Sequence, residues 1–153
     1  MQFLAKWIRP RKDMGDVCPM FRKQWKQEEI PQKAVLYMTA LGVYEAKING
    51  KRISDYVLAP GWTSYEKRLQ YQEYDITKLL QENNELTVTV GKGWLRSPMP
   101  GGWAGSKERD KRMTLGAGLF GEIRFTYKEG REESCWTDKS WPVSYTHLRA
   151  HET

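Results

Sequence analysis

The sequence predicts an all-β domain, a β-sandwich or jelly roll, with one short helical turn and one long glycine-rich loop. Three observations predict it. Short runs of strand formers with period-two alternation recur along the chain, turn dipeptides such as Asn49-Gly50 and Glu129-Gly130 separate them, and Gly91 to Gly121 holds eight of the thirteen glycines.

The first strong signal is Ala34 to Leu41, rich in strand formers. Gly42 follows and predicts a bend or bulge where the strand changes direction. From Val43 to Ile48, Tyr44, Ala46 and Ile48 alternate with Val43, Glu45 and Lys47, so one face meets solvent. Asn49-Gly50 is the pair that tolerates positive φ at both centres of a type I′ turn, and Lys51-Arg52-Ile53 begins the return strand.

Between Arg68 and Leu80 the periodicity fits a helix or a strand. Residue type assigns a strand around Tyr71 and Tyr74, then an Asp75-capped helical turn from Ile76 to Leu80 that ends at Glu82-Asn83-Asn84. Leu86, Val88 and Val90 alternate with Thr87 and Thr89 as a half-buried strand. Ile123, Phe125 and Tyr127 form another, turned by Lys128-Glu129-Gly130-Arg131. The loop from Gly91 to Gly121 includes Pro98, Pro100 and the wholly polar, mobile stretch Ser106 to Arg112, and its length marks a binding loop or a disordered segment.

With 153 residues the chain is one domain long and carries no internal repeat. Seven Trp and eight Tyr against four Phe favour rings with a polar handle. The net charge of +6 is spread among alternating acids, so Arg9, Arg11, Lys12, Arg22, Lys23 and Lys26, with Trp7 and Trp25, form a solvated face rather than a nucleic-acid patch. No apolar run is long enough for a membrane span, and Met1 to Pro10 lacks the apolar core of a secretory leader, so cytoplasmic residence is expected. Cys18 and Cys135 stand far apart and are expected as reduced, partly buried thiols, with one long-range disulfide as the alternative.

Ala40-Leu-Gly-Val-Tyr-Glu-Ala-Lys-Ile-Asn-Gly-Lys-Arg52, Leu58-Ala-Pro-Gly-Trp-Thr63, Lys67-Arg-Leu-Gln-Tyr-Gln72 and Tyr74-Asp-Ile-Thr77 together resemble the amino-terminal domain of bacterial α-L-rhamnosidases. The likeness extends to Ala5-Lys-Trp-Ile8, Pro19-Met-Phe-Arg-Lys23, Gly91-Lys-Gly-Trp94 and Thr137-Asp-Lys-Ser-Trp141. The hairpin alone is also similar to jelly-roll domains of other glycosidases, β-galactosidases included. The resemblance implies a galactose-binding-like sandwich ahead of a separate α/α-barrel, which removes terminal α-L-rhamnose by inversion with two carboxyl groups. Those carboxyls belong to the absent barrel, so the fragment is expected to be inactive, and Asp55, Glu66 and Asp75 are read as surface charges or local caps. The expected partners are that barrel and rhamnose-containing glycans, with no nucleic acid, membrane or cofactor.

Two departures from the family matter. Lys92 stands where the family usually has an acid in Gly-Asp-Gly-Trp-Tyr, and a cation there disfavours calcium-assisted sugar binding. The likeness also ends after Trp141, so the sandwich is expected to lack an edge. The last eleven residues, Val143 to Thr153, instead resemble the translation of transposon-end and adapter DNA from fragment-library preparation. On that reading residues 1–142 are the domain, incomplete at its end, and 143–153 are a non-native tail that is expected to contribute no packing.

Candidate sugar contacts follow from residue type and loop context. Trp94 and Trp103 lie in the glycine-rich loop, with Arg96 between them as a planar hydrogen-bonding fork. Trp62 joins them as a fourth candidate, although packing on a sheet edge is the stronger reading for it. Trp7, Trp25, Trp136 and Trp141 are read as core or interdomain packing. Gly91-Lys92-Gly93 is no dinucleotide fingerprint, because Arg96 occupies the third glycine position, and His147 and His151 both lie in the tail, which leaves no nucleophile triad. The rival functions are a stand-alone carbohydrate-binding module and a basic nucleic-acid binder.

Overall fold

A computed structural model describes residues 1–12, 17–65, 67–97 and 114–146. The described strands are β1 (Cys18–Lys26), β2 (Lys33–Leu41), β3 (Val43–Ile48), β4 (Lys51–Arg52), β5 (Gln72–Asp75), β6 (Asn83–Gly91), β7 (Gly118–Thr126), β8 (Glu132–Trp136) and β9 (Val143–Thr146). They form two antiparallel sheets, one in the order β4-β3-β6-β1-β9 and the other β5-β2-β7-β8. This is the expected β-sandwich.

Alternation builds the core. Tyr44, Ala46 and Ile48 of β3, Leu86, Val88 and Val90 of β6 and Phe21 of β1 face Leu36, Met38 and Ala40 of β2 and Leu119, Ile123 and Phe125 of β7 in one contiguous cluster. Each large apolar side chain buried there contributes roughly 1.5–3 kcal/mol. Glu45 and Lys47 on the other face of β3 are exposed, as the alternation predicts.

The hairpin turn has Asn49 at φ +52 and Gly50 at φ +79, and the register pairs Ile48 with Lys51, as a two-residue type I′ turn requires. Asn49 also ties the turn to the neighbouring strand. Its side-chain amide donates to Leu79 O and Asn84 Oδ1, and its Oδ1 accepts from Glu85 N. The turn at Gly130, φ +84, closes with Tyr127 N donating to Arg131 O and Gly130 N to Tyr127 O.

Several expectations need correction. The strand expected around Tyr71 covers only Gln72–Asp75, and the helical turn is a 3₁₀ turn, Thr77–Leu79. Asp75 does hold that turn, its Oδ1 accepting from Thr77 N and Oγ1. Asn83 and Asn84 do not end it, because they already pair with Lys26 and Trp25 of β1. Trp7 is 46% exposed, resting on Phe120 outside the sheet rather than in the core, whereas Trp141 is buried with its indole N–H on Trp136 O. Trp25 packs partly buried against the core, and Trp136 is half-buried. Neither cysteine forms a disulfide, both are half-buried, and burial pushes the Cys135 thiol up from its ordinary pKa.

The largest correction concerns the tail. Residues 143–146 are β9, paired with β1 from Phe21↔Val143 to Cys18↔Thr146, and Val143 packs against the core. The expectation of no packing therefore fails for these four residues. The remaining residues of the tail, with both histidines, lie outside the described residues, as does the polar stretch 106–112.

Candidate functional site

The site expected in the glycine-rich loop begins at the corner where the chain changes sheets. Leu41 ends β2 in one sheet and Val43 begins β3 in the other, so Gly42 must turn between them. Its φ is +132, and a Cβ there would lie 1.9 Å from Gly91 O, so only glycine lets the end of β6 approach so closely. Gly93, at φ +56, has a similar constraint: a Cβ would sit 2.6 Å from Val43 Cγ1.

One helical turn, α1 (Gly93–Arg96), grows from this corner, closed by Ser97 N donating to Gly93 O. Trp94 and Arg96 are both on it. Arg96 is buried, its Nε donating to Leu41 O at 2.9 Å and an Nη to Gly91 O at 3.3 Å. The guanidinium thus fastens the last carbonyls of β2 and β6 together. The fork expected to meet sugar hydroxyls thus gives at least two of its donors to main-chain carbonyls, because strand-end carbonyls at the corner need a donor.

Trp94 is half-buried. Trp62 is 49% exposed, which corrects the expectation that it packs on the sheet edge. It follows Ala59, whose carbonyl accepts from Tyr44 N at 2.7 Å, so Trp62 and Trp94 both stand near the start of β3. Trp103 lies outside the described residues. The structure therefore joins Trp94 and Arg96 on one turn and puts Trp62 at the same end of β3.

Beside the corner lies a cavity of about 520 Å³, bordered by Arg96, Lys92, Arg9, Arg11, Lys12 and Tyr145 among others. Its described walls carry five cations, Lys92 among them. Among the described residues no three His, Cys, Asp or Glu side chains are grouped as metal ligands would be.

The described carboxylates with shifted pKa values serve local structure. Hydrogen bonds from Thr77 hold the Asp75 carboxyl below its ordinary range, those from Ser140 do the same for Asp138, and Arg22 with Gln24 do so for Glu85. Asp75 thus bonds the first residue of the turn from one position before its N-cap, Ile76, rather than capping it itself. Asp55 is exposed, and Glu66 lies outside the described residues.

Three features were not anticipated. Glu122 is 1% exposed yet points to the outer side of β7, where its Oε2 accepts from Leu4 N and Ala5 N and its Oε1 from Arg124 Nε. It pins the N-terminal segment over the sheet. Phe3 then meets Tyr37, Tyr71 and Phe120 edge-on, each at 5.6 Å, with Arg124 over the rings of Phe3 and Tyr37. No local pattern in residues 1–8 reveals this, since every partner is distant in sequence, Glu122, Phe120 and Arg124 by more than a hundred positions. The third feature, the exposed run Tyr56-Val57-Leu58, was visible as an apolar triplet beside Pro60-Gly61.

With this geometry in view, comparison with known proteins is specific. The profile of the "Alpha-L-rhamnosidase N-terminal domain" family matches residues 29–153. An α-L-rhamnosidase of Streptomyces avermitilis is 36% identical over 127 residues, 79% of this chain and 12% of that protein. The crystal structure of the Aspergillus terreus α-L-rhamnosidase superimposes with a TM-score of 0.79 at 36% identity, covering 91% of this chain and 16% of that one. The Streptomyces avermitilis enzyme complexed with L-rhamnose gives a TM-score of 0.73 at 32% identity, covering 84% and 12%. The chain spans between an eighth and a sixth of these relatives. By sequence profile, identity and superposition alike, it belongs to the family of α-L-rhamnosidase N-terminal domains.

Proposed function

We propose that this sandwich is the accessory amino-terminal module of an α-L-rhamnoside hydrolase, and that a separate catalytic domain of the same parent polypeptide cleaves the bond. The observation that carries this reading is proportion: the sandwich covers 91% of this chain but 16% of the Aspergillus terreus enzyme that it superimposes on. The roles of Asp75, Asp138 and Glu85 as locally bonded carboxylates support it, because none is raised in pKa as a general acid would be. The test is release of 4-nitrophenol from its α-L-rhamnoside. This chain alone should release none above buffer, and a full-length parent polypeptide that contains this domain should release it steadily. Turnover by the chain alone would overturn the proposal. Cytoplasmic residence belongs to the same proposal, and recovery of the parent from the medium or envelope would sink it.

A second reading, direct glycan contact, is favoured by one observation: the half-exposed indole of Trp62 at the same end of β3 as Trp94. A shallow site for one monosaccharide buries little area, so about millimolar affinity is expected. Titration with rhamnose, with galactose as control, should move the indole resonances of Trp62 and Trp94. Unmoved resonances well above that concentration would leave a purely structural module.

A further inference from the structure

The segment after β4 carries three consecutive large apolar side chains turned to solvent. Tyr56 is 70% exposed, Val57 71% and Leu58 54%, and Trp62 follows at 49%. With aromatic side chains bringing 150–250 Å² each, these four expose on the order of 400 Å² of mostly apolar surface, within the range in which a monomer's largest patch is often functional.

The outward pose is built into the backbone. Tyr56 N donates to Ser54 Oγ at 2.9 Å, and an Arg52 Nη donates to Tyr56 O. Leu58 is held at φ +57, a left-handed conformation that a leucine adopts only under constraint. That constraint comes from Gly61 N donating to Leu58 O and from Tyr44 N donating to Ala59 O. The segment is therefore a shaped ridge, fixed before anything covers it.

We infer that Tyr56, Val57, Leu58 and Trp62 form a docking ridge covered by an apolar patch of the polypeptide that follows this domain in its parent. The inference rests on the reading above, that the domain is part of a longer hydrolase. Length selects the occupant: the matched region is 12% to 16% of the relatives, so a body several times larger than the sandwich accompanies it in each of them. Topology permits it. β4, which delivers the ridge, and β9 lie at opposite edges of the five-stranded sheet, four spacings or roughly 19 Å apart, which about six extended residues span. A glycan fits the ridge less well, since Val57 and Leu58 offer neither a flat ring nor a hydrogen-bonding group.

Hydroxyl-radical footprinting tests the inference on this chain and on a full-length parent polypeptide that contains it. Oxidation of Tyr56 and Trp62 should fall about fivefold or more in the longer polypeptide, as solvent exclusion at an interface core demands, while exposed Ile30 stays constant. Val57→Asp should restore that oxidation in the longer polypeptide and leave the melting temperature of this chain unchanged, because the side chain is exposed here. Equal oxidation in the two proteins overturns the ridge. So does slow oxidation in this chain alone accompanied by sedimentation as a dimer, which would make a second copy the occupant. Rhamnoside hydrolysis measured on the same samples separates the two proposals: a protected ridge on an inactive polypeptide supports docking against the hydrolase reading, and an active polypeptide with an open ridge overturns docking alone.

Discussion

Replacing Gly42 by alanine should be far more damaging than the same change at Gly50, although both glycines have positive φ. At Gly50, φ +79, the new methyl meets nothing within 4 Å, so the cost is conformational, about 1 kcal/mol. At Gly42, φ +132, the methyl would lie 1.9 Å from Gly91 O, more than an ångström inside the 3.0 Å below which Cβ contacts essentially never fall. Backbone must move to relieve it. That movement displaces the carbonyl to which Arg96 donates and disturbs the Val43↔Gly91 pairing, so strain, overpacking and a lost hydrogen bond act together. The combined loss is about 3–5 kcal/mol, against which one kcal/mol corresponds to about 2–4 °C for a chain of this size. Calorimetry should thus show Gly42→Ala melting about 10 °C below the parent and Gly50→Ala about 3 °C below it. The indole resonance of Trp94, carried on the turn beside Gly91, should shift in the first variant and not in the second. Equal melting temperatures for the two variants would refute the close-approach argument and reduce Gly42 to an ordinary flexible bend.

Glu122→Gln should cost about 2 kcal/mol, because an amide cannot accept from Leu4 N, Ala5 N and Arg124 at once, and amide exchange at Leu4 and Ala5 should accelerate; unchanged exchange would show that other contacts hold the segment. Acid should destabilise the fold through Asp75, Asp138 and Glu85: their folded pKa values are depressed, so the stability they add is full above the ordinary carboxylate range and is lost as pH falls through the lowered values. Urea midpoints from pH 7 to 2 should flatten in the combined Asp75→Asn and Asp138→Asn variant, and an unchanged acid limb would exclude these two groups. Truncation after Pro142 removes β9 with its half-buried Val143 and should lower stability by about 1–2 kcal/mol in urea, whereas an unchanged midpoint would mean the edge strand adds nothing.

The parts of the fold that sequence reveals are those decided locally. Asn49-Gly50 takes positive φ whatever surrounds it, and Tyr44, Ala46 and Ile48 share a face by chain geometry alone. What hides is decided at a distance. β1 has Pro19 and Phe21 buried but Arg22, Gln24 and Lys26 exposed, so its charges read as a solvated face while the backbone pairs with β6. Arg96 illustrates the same limit at the candidate site. Its residue type signals a hydrogen-bonding fork, yet the acceptors are the carbonyls of Leu41 and Gly91, one of them fifty-five positions away. Trp62 and Trp7 fail in the opposite direction: an indole is apolar enough to suggest burial, but exposure follows from where the sandwich ends, which composition does not encode.

β9 shows why residues 143–146 pack even if their sequence was never selected to. A β-ladder is made between main-chain groups, so an open edge asks little of the side chains beyond extended geometry and alternation. The chain is brought to that edge by the residues just before it: Trp141 is buried with its indole N–H on Trp136 O, and Pro142 O accepts from Arg22 N at 3.0 Å. Once Pro142 is fixed there, Val143 is already opposite Phe21, and the next residues fall into register with Met20, Pro19 and Cys18. Val143 packs against the core, Tyr145 shares its face by alternation and is half-buried opposite Pro19, and Ser144 is exposed. Strand formation at this site therefore reflects the unfilled edge of β1 more than the identity of the residues that fill it. By the same argument, the sheet is completed by whichever extended segment Trp141 and Pro142 deliver.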